Sequence, residues 1–226
     1  MKKIEIIKPD DWHVHFRDND ILEAVIPETS RHFSRAIVMP NLTPPILNGI
    51  DANEYKERII AAIPKKDKFF PLMTLYLTEK TNKKELKQSY ESGSVFAAKL
   101  YPAGATTNSE SGVQNIQNII PLLETMSEIG MPLLIHGEVT DKNIDVFDRE
   151  KIFIDKTLDM ICRKFPELKI TLEHITTDDA VKYVKDGNIN LSATITPHHL
   201  ALNRNSMFEG GIRPHFYCLP ILKKER

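Results

Sequence analysis

The sequence predicts an α/β fold: a TIM-type (β/α)8 barrel with about seven strands present, as one domain over residues 1–226. Three observations predict it. Short apolar segments alternate with amphipathic segments of helical period. The strand candidates recur about every 30 residues, the length of a βαβ repeat. Polar residues embedded in apolar strands collect at strand C-termini, where a β/α barrel gathers its active site.

The strand candidates are Trp12–Phe16, Arg35–Met39, Phe69–Leu77, Val95–Tyr101, Pro132–His136, Leu168–His174 and Ile189–Ile195. Most are apolar on both faces, as strands covered by helices should be. Helices are expected between them. Asp51 is expected to cap one, with Glu54 three residues on as in a capping box. Thr81 is expected to cap another, which stops at Gly93. Val113, Ile116, Ile120, Leu123 and Met126 keep helical spacing and end at Gly130. Ile154, Leu158, Ile161 and Phe165 repeat it before Pro166, and Asp178 to Gly187 carries Val181 and Val184. Each of these glycines is expected at a left-handed helix end.

Composition narrows the function. Lys and Arg number 30 against 31 Asp and Glu, a net charge of −1, so the basic excess of a nucleic-acid protein is missing. No apolar run reaches the roughly 18–20 residues of a membrane span. Met1-Lys2-Lys3-Ile4-Glu5 has no apolar region of a signal peptide. Two cysteines, Cys162 and Cys218, suit a reducing cytoplasm. Glycine-rich phosphate loops and a GxSxG elbow are not found.

The chemistry lies at the strand ends. His13 and His15 are two apart on the first strand, so both face one side. Asn41 follows the second strand, Lys99 lies in the fourth, and His136 and His174 end the fifth and sixth. Four imidazoles converging on one mouth suit Zn²⁺ or another borderline divalent metal. Lys99 sits in an apolar strand and has two readings. It either pairs with a buried carboxylate, or stays neutral and takes up CO₂ as a carbamate that bridges two metals. His198 and His199 follow the seventh strand and are expected to support the mouth rather than ligate. Cys162 and Cys218 are expected to pack, and His32 to lie at the surface.

These residues sit in recognisable segments. Asp11-Trp12-His13-Val14-His15-Phe16-Arg17-Asp18, Met39-Pro40-Asn41-Leu42-Thr43-Pro44-Pro45 and Lys99-Leu100-Tyr101-Pro102-Ala103-Gly104-Ala105-Thr106-Thr107 resemble the corresponding segments of type II dihydroorotases, a bacterial class of the amidohydrolase superfamily. So do Leu134-Ile135-His136-Gly137-Glu138, Leu172-Glu173-His174-Ile175-Thr176-Thr177, Thr194–Leu200 and Tyr217–Lys223. The resemblance covers nearly the whole chain, in order. It implies the metal-dependent hydrolase form of the barrel and a binuclear zinc site. His13 and His15 would hold one ion and His136 and His174 the other, with carboxylated Lys99 shared. It implies that Arg17 and Asn41 bind the substrate α-carboxylate. Leu219 would meet the pyrimidine ring, His15 and His136 would also touch substrate, and Thr106 and Thr107 would sit on a closing loop. The implied reaction is reversible cyclisation of N-carbamoyl-L-aspartate to (S)-dihydroorotate, in a cytoplasmic homodimer.

One expected part is missing. The family carries its general acid/base aspartate on an eighth strand, in a Ser/Thr-Asp-small-Ala-Pro-His-like segment. No such segment occurs here, and the charged tail to Arg226 reads as a helix start. The expectation is a C-terminally incomplete barrel with an open edge, poorly stable or self-associating, and inactive by itself. Two other readings stand beside it: a different binuclear amidohydrolase such as a hydantoinase, and a shortened, non-catalytic metal-binding or assembly protein.

Overall fold

Alternation along each strand decides which side chains face which layer. In a computed structural model, which describes residues 3–224, seven parallel strands are hydrogen-bonded in chain order. They are β1 (Asp10–Val14), β2 (Arg35–Val38), β3 (Phe70–Tyr76), β4 (Ala97–Leu100), β5 (Leu133–His136), β6 (Ile170–Glu173) and β7 (Leu191–Ala193). Among the described residues nothing pairs with the outer sides of β1 and β7. The sheet is therefore a curled part-barrel with two edges.

All seven expected strands are present, with altered bounds. β1 starts two residues earlier than expected and ends before His15, so only His13 of that pair lies on the strand. Its register to β2 shifts between Asp11 and Val14, the stretch that carries His13. His174 lies one residue beyond β6.

The two faces of the sheet carry separate apolar clusters. Val38, Met73, Ala98, Leu133 and Ile135 belong to the main core, with the helices. Their alternates Ile37, Met39, Leu72, Ala97 and Leu134 form a smaller cluster on the inner face. Lys99 shares the parity of Ala97, and His136 that of Leu134. Both therefore point inward.

The helices are capped by residues other than those expected. Helix α1 (Asn19–Ser30) starts at Asp18, which Arg58 grips through two hydrogen bonds of 3.0 Å each. Helix α2 (Gly49–Ala62) is capped by Asn48, not Asp51. Asn48 Oδ1 accepts from the Ile50 and Asp51 N–H groups, and Asp51 accepts in return from the Leu47 N–H. Asp51 thus closes the box from inside the helix. Asn82, not Thr81, caps α3 (Lys83–Glu91), while Thr81 Oγ1 accepts from the Thr78 N–H. In both cases asparagine outcompetes its neighbour for the orphan N–H groups of the first turn.

Val113 stays in a loop, and a 3-10 turn over Ile116–Ile119 leads into α4 (Ile120–Ile129). Helices α5 (Arg149–Phe153) and α6 (Asp159–Lys164) are joined by a π turn, Ile154–Leu158. Helix α7 (Asp178–Asp186) is capped by Thr177, and α8 (Pro197–Ala201) is a single short turn.

Gly93 and Gly130 are left-handed, at φ 75° and 71°. Gly187 is not: its φ is −73°. Space explains it instead, because a Cβ there would come 2.8 Å from Leu191 Cδ2. No described helix is long and apolar enough to cross a membrane. In the charged tail, Lys223 and Lys224 are not helical, and Glu225 and Arg226 lie outside the described residues, as do Met1 and Lys2.

Candidate functional site

The inner-face strand ends bring five expected residues together. His13 Nε2 lies 3.1 Å from His15 Nε2. The ring centroids of His13 and His174 are 5.0 Å apart, and those of His174 and His136 are 4.7 Å apart. Lys99 is fully buried on β4, with its Nζ 4.8 Å from the Tyr101 ring centroid.

Two carboxylates that the sequence analysis assigns no role, Glu173 and Glu138, organise this cluster. Glu173, fully buried, forms an ion pair with Lys99. Its other oxygen is 3.0 Å from His13 Nδ1, without hydrogen-bond alignment. Glu173 is thus the buried carboxylate that the first reading of Lys99 expects beside it. Glu138 lies 2.9 Å from His136 Nε2, both groups buried. The signal for Glu138 was present: spacing of two places it beside His136, as Tyr101 lies beside Lys99.

His174 leaves β6 with φ 44°, a left-handed conformation that costs a non-glycine residue about 1–3 kcal/mol. Two bonds to the segment after β7 hold it. The His174 N–H donates to Thr194 Oγ1 at 2.9 Å, and the Ile175 N–H donates to the Thr194 carbonyl at 2.9 Å.

Burial sets the electrostatics. It pushes His15, His136 and His174 below the ordinary imidazole value, so their rings are neutral at pH 7. It also pulls the Lys99 ammonium down, against the opposing pull of Glu173. For Glu173, burial pushes the carboxyl up, but His13 and Lys99 outweigh it and hold the group at about 2. Buried polar atoms without a hydrogen-bond partner gather here: His15 Nδ1, His174 Nδ1, Glu138 Oε1 and the Tyr101 hydroxyl.

Arg17 and Asn41 meet beside the histidines. Arg17 Nη1 donates to the Asn41 carbonyl at 3.4 Å, and the Arg17 backbone, at φ 60°, is held by the Tyr55 hydroxyl. The buried Asn41 amide donates to the Thr107 carbonyl at 2.9 Å, and Asn108 donates back to the Asn41 carbonyl. Asn41 thus anchors the loop carrying Thr106 and Thr107. Their hydroxyls stand at partly buried and exposed positions, respectively. Glu79 pins the far end of that loop by accepting from the Gln114 and Asn115 N–H groups.

Leu219 sits apart from this cluster in sequence, half-buried, between Cys218 and Pro220. His199 reaches the Pro220 carbonyl at 2.8 Å. Cys218 packs against Met207, Ile221 and Leu222, as expected, but also lies 3.8 Å from His199 Nε2. Cys162 packs against the main core, and His32 is exposed.

Among the described residues, two sets of donors lie close enough to hold a metal ion: His13, Glu173 and His174, and His198, His199 and Cys218. Comparison with known proteins gives the chain its family. The dihydroorotase of Rhizobium rhizogenes is 55% identical over 225 residues, covering 100% of this chain and 65% of that protein. The chain thus spans about 65% of the length of the curated relatives it matches. A crystal structure of the Campylobacter jejuni dihydroorotase superposes with a TM-score of 0.88 at 43% identity, over 96% of this chain and 62% of that one. The L-hydantoinase of Arthrobacter aurescens shares the fold, with a TM-score of 0.77 at 14% identity over 96% of this chain and 52% of that one. A model of the amidohydrolase family matches residues 6–219, the stretch that runs from before β1 to Leu219 and includes every residue of the strand-end cluster. By fold and by that match, the chain belongs to the amidohydrolase family.

Proposed function

We propose that this chain serves the dihydroorotase reaction, interconverting N-carbamoyl-L-aspartate and (S)-dihydroorotate with zinc. The supporting observation is the convergence of His13, His15, Lys99, His136 and His174 beside the Arg17–Asn41 pair.

The residues fit a zinc pair. The 3.1 Å between His13 Nε2 and His15 Nε2 is close to the roughly 3.3 Å expected of two nitrogens on one tetrahedral ion. The orphaned Nδ1 of buried His174 is what an inward-facing ligand leaves when counted without its ion. In this reading His13 and His15 hold one zinc and His136 and His174 the other, and Lys99 as a carbamate serves both. Such ions supply Lewis acidity toward an amide carbonyl and activation of water.

The chain's own groups bind and orient the substrate. Arg17 offers a fork of donors to the α-carboxylate, and Asn41 offers the amide hydrogen that Thr107 leaves free. His15 and His136 line the same space and contact substrate there. Thr106 and Thr107 close over it, and the Leu219 backbone meets the ring. The protein in this reading is a cytoplasmic homodimer acting on small molecules.

The Arg17–Asn41 pair favours this substrate over a hydantoin, which has no α-carboxylate. Arg17→Met should raise KM for carbamoyl-aspartate at least about tenfold and leave zinc content unchanged. An unchanged KM would count against the dihydroorotase assignment. Zinc binding by the purified chain without turnover would favour a non-catalytic metal-binding role instead.

A further inference from the structure

A second set of donors meets outside the strand ends. His198 and His199 lie on α8, and Cys218 arrives from the segment after the 3-10 turn Pro214–Phe216. One ligand atom from each of the three lies within 4.8 Å of the other two. The 3.8 Å from His199 Nε2 to Cys218 Sγ is near the roughly 3.6 Å expected between a nitrogen and a sulfur on one tetrahedral zinc. The two imidazole rings sit 4.4 Å apart, centroid to centroid. Cys218 is a free thiol, half-buried, and its sulfur meets the Pro220 carbonyl at 3.3 Å. His199 is fixed from both sides, by Thr196 Oγ1 at Nδ1 and by the Pro220 carbonyl at Nε2. An aimed imidazole beside a free thiol, with a second imidazole at the surface, is a donor set for a borderline-soft cation.

We propose that His198, His199 and Cys218 form a separate mononuclear site for a thiophilic divalent cation of the Zn²⁺ class, with water completing the tetrahedron. Binding releases the Cys218 proton to solvent, and the thiolate and two neutral imidazoles bond to the ion. His199 Nε2 and Cys218 Sγ give up their contacts to the Pro220 carbonyl. The ion ties α8 to the Cys218–Pro220 segment and thereby fixes the backbone on either side of Leu219.

The two metal sites differ in one atom type, since the strand-end cluster contains no sulfur. Titration of the whole chain with Co²⁺ therefore separates them. The proposal expects a near-ultraviolet thiolate-to-cobalt charge-transfer band that is lost in Cys218→Ser and kept in Cys162→Ser and His13→Ala. Cobalt bound without that band, or a band that survives Cys218→Ser, overturns it. A second measurement needs no variant. Zn²⁺ should slow alkylation of Cys218 by iodoacetamide at least about tenfold, read by peptide mass spectrometry. An unchanged rate of Cys218 alkylation at saturating Zn²⁺ also overturns it. Neither outcome depends on dihydroorotase activity.

Discussion

Two histidine clusters stand within one molecule, built in opposite ways. At the strand ends, four imidazoles and a lysine sit on rigid, mostly buried backbone, and buried carboxylates approach two of the rings. At α8, two imidazoles and a thiol sit on a five-residue helix and an irregular segment, and a carbonyl and a threonine hydroxyl hold them. The first arrangement fixes ligand direction through charge in a dry interior, where such contacts are strong. The second uses neutral partners that an incoming ion can displace. The difference separates a centre organised before metal arrives from one that metal itself completes.

That contrast can be broken most severely at Glu173. In the chelated protein, Glu173→Leu leaves Lys99 buried without its partner and should cost about 3–5 kcal/mol, measured by urea unfolding. A loss under 1 kcal/mol would mean that the pair does not organise the interior. Glu138→Ala should act on affinity rather than folding. Freed from its carboxylate, His136 loses its fixed direction, and zinc affinity should fall about 10–100-fold in a chelator competition. Unaltered affinity would show that the ring is held by packing alone.

At the α8 cluster the effects should be smaller. Thr196→Val removes the hydroxyl that meets both His198 Nε2 and His199 Nδ1 and should cost about 1–2 kcal/mol, read from the thermal midpoint. A larger loss would show that this cluster is as rigid as the other.

The smallest effect is expected at Glu79, an exposed carboxylate whose pKa is lowered by hydrogen bonds from the Asn115 N–H, the Asn118 amide and the Gln114 N–H. Its anchoring is full above the ordinary carboxylate value of about 4.5 and is lost as pH falls through the lower folded value. Amide exchange at Gln114 and Asn115 should therefore gain protection between acid and pH 5 in the parent chain, relative to Glu79→Gln. Identical pH profiles in the two would remove Glu79 from the loop's support.

Much of the strand-end cluster was legible in the sequence because it depends on parity. His13 and His15 announce themselves by their spacing of two, and Lys99, His136 and His174 by being polar residues within or at the end of apolar strands. The seven strands were legible as short apolar runs that recur about every 30 residues, the length of a βαβ repeat. Caps were misplaced by one to three residues, because Asp51 and Asn48, or Thr81 and Asn82, compete locally and only the backbone path decides. The partnership of Glu173 with Lys99 links β6 to β4 across β5, and no local pattern encodes it. The approach of Cys218 to His199 depends likewise on how an irregular segment returns to α8. Gly187 misled because a glycine after a helix suggests a left-handed turn, whereas here it makes room for Leu191.

Sheet order in this molecule is identical to chain order, β1 through β7. Each strand emerging from a ribosome finds its permanent neighbour already made, so the sheet can grow from one side during synthesis. Each pairing still spans a βα crossover, as in Arg35 with Phe70 and Leu133 with Ile170, and such parallel pairing forms more slowly than local contacts. The metal donors arrive on the same schedule. His13 and His15 wait through three further strands before β5 brings His136, and the pair formed by Lys99 with Glu173 closes only when β6 docks. A nascent chain thus acquires its shape gradually and its inner charge balance in one late step.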